Sequence, residues 1–173
     1  MNLLTMLIGL TLFLTGQHAG MPAGMSHAEH LKQLQKDEAL KKRGAEAMGF
    51  DQDTTAHGFA LAPDGGSIEV TVRNPADERT VAAVRSHLRS IAADFTAGRF
   101  DKPFQTHGEI PPGVAEMQKR KERIAYRYED LAQGGAVRMT TKDARALESV
   151  HAFLHYQIAE HHTGDRTASG PER

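Results

Sequence analysis

Two stretches of strict alternation, each wrapped around a Gly-Gly pair and each followed by a long amphipathic run, constrain this chain more than any other feature. In the first, His57, Phe59 and Leu61 alternate, Pro63-Asp64-Gly65-Gly66 interrupts, and Ile68, Val70 and Val72 resume the alternation. Period-2 runs about such a turn predict a β-hairpin, with the glycines supplying positive φ at the turn. Val81, Val84, Leu88, Ile91 and Phe95 then recur at steps of three and four, which is one face of a helix. Asn74 can cap that helix, Pro75 can occupy its first position, and Gly98 can stop it.

The second half follows the same scheme. Ile124, Tyr126 and Tyr128 alternate, Gln133-Gly134-Gly135 turns, and Val137 and Met139 alternate. A helix is predicted from about Lys142 to His162, with Leu147, Val150, Leu154 and Ile158 on its core face and Gly164 after its end. Gly65-Gly66-x-Ile-x-Val can be laid over Gly134-Gly135-x-Val-x-Met. A lone hairpin is marginal, but four strands carrying two helices on one face can bury a shared core. The fold class predicted is therefore α+β: a duplicated strand-strand-helix unit forming a four-stranded antiparallel sheet with two helices on one face, plus an N-terminal helix.

The remaining segments fall around that domain, predicted over 51–166. Residues 1–24 contain the apolar run Leu3 to Leu14, too short to span a bilayer at about 20 residues but matching the h-region of a signal peptide. No Lys or Arg precedes it, and cleavage is expected near Ala19 to Gly24; an uncleaved N-terminal anchor is the alternative. Export to the periplasm follows as an expectation. Within 25–50, Ser26-His27-Ala28-Glu29 has the form of a capping box, so a helix should start there and run through Leu31, Leu34 and Leu40 to about Met48. Pro111-Pro112-Gly113 marks the connector between the two units, with one short helix expected around Val114–Arg120. The small, polar tail 167–173 is expected to be disordered.

Composition narrows the chemistry. There is no cysteine, which excludes disulfides, thiolate metal sites and covalent haem attachment. A net charge of −1 argues against a broad nucleic-acid surface. No phosphate-cradling glycine loop, dinucleotide fingerprint or G-x-S-x-G elbow is present. Arg79, Arg85 and Arg89 read as a solvated face, and Tyr126, Tyr128 and Tyr156 as core or sheet residues. What stands out is histidine, with ten in the chain.

On the last helix His151, His155 and His162 fall within about 40° of one another, and His151 and His155 sit one turn apart, the i, i+4 spacing of helical metal sites. His57 points to the helix-covered face, His87 flanks the first long helix, and His107 lies in the connector near Glu109. A core metal site drawn from His57, His107, His151 and His155 would suit Cu(II), Zn(II) or non-haem iron. Each of these rings can equally be a hydrogen-bonded structural residue. Separately, Met21, Met25, His27 and His30, with His18, offer the thioether and imidazole donors that Cu(I) prefers.

The function expected is that of an exported metal-binding protein, copper first and zinc second, with the question of enzymatic activity left open and leaning against it. One alternative is a non-catalytic envelope module whose histidines serve structure or pH response. The other is a haem protein or enzyme, which 6% aromatic residues and no tryptophan make less obvious. The partners expected are a metal ion and no nucleic acid, with a membrane only through an uncleaved N-terminus and a homodimer through an open sheet face or edge.

Lys42-Arg43-Gly44, Ala47-Met48-Gly49-Phe50-Asp51-Gln52, Asp64-Gly65-Gly66, Pro111-Pro112-Gly113-Val114 and His161-x-Thr163-Gly164-Asp165 together carry a resemblance over nearly everything after the leader. The chain resembles a family of small exported bacterial proteins without an established activity, some of which carry the name aspartate carbamoyltransferase. That resemblance implies export and a shared fold and supplies no catalytic residues. The chain is about half as long as such a transferase requires and lacks its Ser-Thr-Arg-Thr phosphate-binding motif.

Overall fold

The computed structural model describes residues 25–161 and the backbone of Arg166–Thr167. Residues 1–24 with His18 and Met21, the segment 162–165 with His162 and Gly164, and residues 168–173 lie outside the described residues. The chain divides into two compact units, Met1–Lys36 and Asp37–Arg173.

In the first unit, the capping box forms as its sequence suggests. Glu29 N–H donates to Ser26 Oγ, and Ser26 N–H donates back to Glu29 Oε2 at 2.8 Å. The helix it opens, α1 (His27–Met48), continues into the second unit.

The second unit holds the sheet. Strands β1 (Thr55–Ala62) and β2 (Gly65–Val72) form one hairpin, and β3 (Ile124–Leu131) and β4 (Gly134–Thr141) form the other. The sheet order is β3-β4-β2-β1-β5, where β5 is the two-residue parallel edge Arg166–Thr167 against β1. The central pairing is symmetric: Gly65 faces Thr140 as Gly134 faces Thr71.

The glycine pairs do more than turn the chain. Of the four, only Gly65 has positive φ, at 150°. A Cβ on Gly65 would lie 2.0 Å from the Met139 carbonyl oxygen, and one on Gly134 would lie 2.0 Å from that of Val70. Close approach of the two central strands, rather than turn conformation alone, therefore demands glycine at both places.

Helices α2 (Glu78–Thr96) and α5 (Ala144–His161) pack on the sheet. Phe59, Val70, Val137 and Met139 from the strands meet Leu88 and Phe95 of α2, all 3% exposed or less. Val150, Phe153 and Leu154 of α5 complete that core. Burying each such side chain stabilises the fold by about 1.5–3 kcal/mol.

Three local features differ from the pattern in the sequence. Helix α2 starts three residues late because Asp77, not Asn74, is its cap: Thr80 N–H donates to Asp77 Oδ1 at 3.0 Å. Asn74 instead closes the preceding turn, its Oδ1 accepting from Ala76 N–H. Leu147 is only half-buried, while Ala146 and Phe153 fill the space it was expected to fill. Arg89 is exposed and Arg85 half-buried, yet both also bond to the neighbouring hairpin. Arg85 donates to the Leu131 and Gly134 carbonyls, and Arg89 pairs with Asp130 and lies over the Tyr128 ring at 4.5 Å. Together they fasten α2 to the β3–β4 turn.

The connector carries two short helices rather than one, α3 (Asp101–His107) and α4 (Val114–Lys119). Gly113 before α4 has φ 83°, and a Cβ there would lie 2.1 Å from the Ser149 carbonyl oxygen of α5. The Pro-Pro-Gly corner thus lets the connector press directly on the α5 backbone.

Candidate functional site

Four histidines from four elements line one cavity of about 70 Å³ (space for the centres of water molecules). His57 enters from β1, where its phase with the buried Phe59 turns it to the helix-covered face. His87 comes from α2, beside the buried Leu88. His107 is the last residue of α3, which ends on Gly108 in the left-handed region. Arg43 of α1 holds that end by donating to the carbonyls of Thr106 at 3.0 Å and His107 at 3.3 Å. His161 closes α5. Met48, Phe59, Leu88, Ile91, Phe95 and Phe153 make the wall largely apolar, with Lys102 at its edge.

His161 is the ring neighbour of two of the others. The centroid of His161 lies 5.6 Å from that of His57, nearly parallel, and 5.3 Å from that of His107, nearly perpendicular. Phe59 packs on His161 at 5.3 Å and Phe50 meets His87 edge-on at 5.7 Å. Tyr156 abuts His107 at 5.0 Å, and its hydroxyl donates to Glu109 Oε1 at 2.6 Å.

Burial keeps three of these imidazoles, His57, His87 and His107, neutral. It pushes His57 down to about 4, with the Arg73 charge adding to the effect. It pushes His87 to about 4 as well, aided by the Lys102 and His57 charges and opposed by Asp94. His107 is lowered by burial against the opposing bond to Gln157. That bond runs from His107 Nε2 to Gln157 Oε1 at 2.9 Å, leaving Nδ1 as the ring's other nitrogen. His57 Nε2, His107 Nδ1 and Gln157 Nε2 are buried with no hydrogen-bond partner. Orphaned buried polar atoms are uncommon, and three from residues lining one cavity form a set of unused bonding capacity.

Of the core residues expected from the sequence, His57 and His107 share this cavity, whereas His151 and His155 do not. His151 Nε2 bonds the carbonyls of Ala62 and Gly65 at 2.9 and 3.0 Å. A nitrogen facing two acceptors is a donor, so His151 clamps the β1–β2 turn. His155 is exposed on α5. Of the N-terminal residues, Met25 precedes α1, while His27 and His30 lie in its first turn, His27 in water and His30 half-buried. Among the described residues no three His, Asp or Glu side chains already converge as a metal-holding group.

Gln157 and Met48 were not singled out in the sequence. Gln157 falls between Leu154 and Ile158 on the buried face of α5, and a polar residue on such a face is the signal that marks it. Met48 carries no comparable signal, since it reads as an ordinary helix terminus.

No protein-family model matches the chain, and neither a curated protein nor a solved structure matches it. No described helix is long and apolar enough to cross a membrane.

Proposed function

We propose that this protein binds a transition-metal ion, copper foremost, through the imidazoles of His57, His107 and His161. The observation that carries the proposal is the ring spacing of 5.3 and 5.6 Å around His161 at one cavity. Imidazoles sharing an ion at about 2.0–2.1 Å place their centroids roughly 5–5.5 Å apart for tetrahedral to trigonal ligation. His161 is thus at ligating separation from each of the other two rings, and an ion shared among them would require rotation about the soft ring torsions to aim their nitrogens. Metal binding needs neutral imidazole, and burial supplies it for His57 and His107 at pH 7. An exported protein, as the leader suggests, would meet such ions outside the cytoplasm.

The test is copper titration of the full chain against two variants, His57→Ala with His107→Ala, and His27→Ala with His30→Ala. Loss of one equivalent in the first and its retention in the second supports the proposal, provided both variants melt cooperatively. Full retention in the first refutes it.

One observation favours a second reading, a small organic ligand in the same cavity. The orphaned Gln157 amide is a donor, which no cation can satisfy, and the walls are mostly apolar. Such a ligand would carry an acceptor group and would protect the protein thermally without any metal.

A further inference from the structure

From the donors and charges around the cavity we infer that its ion is monovalent, Cu(I), with the Met48 thioether as the soft ligand beside the imidazoles. The inference rests on the metal reading and adds the oxidation state and a further ligand. Met48, the last residue of α1, lines the same cavity as His57, His107 and His161. Among the described residues the lining includes no carboxylate, so no anionic side chain is part of the cavity wall. The nearest acidic groups are otherwise engaged. Glu109 accepts from Tyr156, and Asp94 is paired with Lys102 and Arg99. The Glu160 charge acts on His107.

Charge decides between oxidation states. The cost of moving an ion from water into a medium of low polarisability grows with the square of its charge, so a dication suffers roughly four times the penalty of a monocation. Here the walls include phenylalanine, leucine and isoleucine, no carboxylate lines the cavity, and the one lining ammonium, Lys102, is already paired with Asp94. Cu(II) and Zn(II) are also harder ions whose preference for oxygen and nitrogen leaves the thioether unused, whereas Cu(I) takes thioether and imidazole together. Of the core histidines read from sequence as a set for Cu(II), Zn(II) or non-haem iron, His57 and His107 thus join His161 and Met48 in a Cu(I) set.

The experiment is a competition titration of the full chain with Cu(I) under anaerobic conditions against a chromogenic Cu(I) chelator. Cu(II) and Zn(II) titrations follow under identical buffer, with the wild type, Met48→Leu and His57→Ala compared. Met48→Leu preserves apolar volume and should leave the fold intact, which a thermal melt verifies. Expected is Cu(I) binding tighter than Cu(II) and Zn(II). In Met48→Leu it should weaken by at least roughly tenfold, the scale on which even outer-shell partners act. Histidine-dependent binding of Zn(II) or Cu(II) as tight as that of Cu(I), or Cu(I) affinity indifferent to Met48→Leu, overturns the Cu(I) assignment while the metal reading stands. No histidine-dependent binding of any of the three ions overturns the metal reading and this inference with it.

Discussion

Acidification from pH 7 to pH 5 should destabilise this protein steeply, because His57, His87 and His107 in its cavity are held neutral. His57 and His87 titrate at about 4 in the folded chain against an ordinary 6.5. Below 6.5 the unfolded chain takes up protons that the folded chain refuses until near 4. Stability is therefore complete above 6.5 and is lost progressively as pH falls towards 4. At about 1.4 kcal/mol for each tenfold in proton affinity, each ring withdraws about 3 kcal/mol over that window. The two together approach the whole stability of a small domain, about 5–15 kcal/mol, so unfolding near pH 4–5 is expected. At pH 5 each ring should contribute a slope of about 1 kcal/mol per pH unit. Asp77, Asp94 and Asp143 are held low by their own bonds and act in the same direction, but below the ordinary carboxylate range, so pH 5 to 6.5 isolates the histidines. The assay is urea denaturation followed by circular dichroism at half-unit steps. His57→Leu should roughly halve the slope. A stability unchanged between pH 7 and pH 5 in the wild type would refute the buried, neutral state of these rings.

Other perturbations separate structural from ligating roles. His151→Ala should cost about 1–3 kcal/mol by leaving the Ala62 and Gly65 carbonyls unbonded, measured by urea denaturation, with copper stoichiometry unchanged. Asp77→Ala should cost about 1 kcal/mol through loss of the α2 cap, read from the same curves. Gly113→Ala should cost more than the cap, since its Cβ would meet the Ser149 carbonyl oxygen at a position of positive φ; a melting temperature within a degree of wild type would contradict that contact. Gln157→Leu should weaken copper binding about 10- to 100-fold while the fold persists, because Gln157 orients the His107 ring; ring nitrogen shifts by NMR report the altered tautomer.

The sheet and its helices were legible in the sequence because their signals are local. Alternation around Gly65-Gly66 and Gly134-Gly135, and the three-four spacing from Val81 to Phe95, each name an element without reference to the rest of the chain. The α2 start was not, since Asn74 and Asp77 both offer a capping side chain and only the bond from Thr80 decides between them. The site divides the same way. His57 could be assigned to the covered face by phase alone. His151 also lies on the covered flank of its helix, but the hairpin turn reaches it first and takes its nitrogen. His161 and His107 meet because α5 and α3 both end at the same cavity. That depends on tertiary packing which no spacing within one element encodes.

The central claim is that one copper ion sits among His57, His107 and His161. Anomalous scattering at the copper edge from crystals of the loaded protein locates the ion directly. The expected result is a single strong peak at about 2 Å from nitrogens of at least two of these rings. A peak only near His27 and His30, or only at His151 or His155, would contradict it.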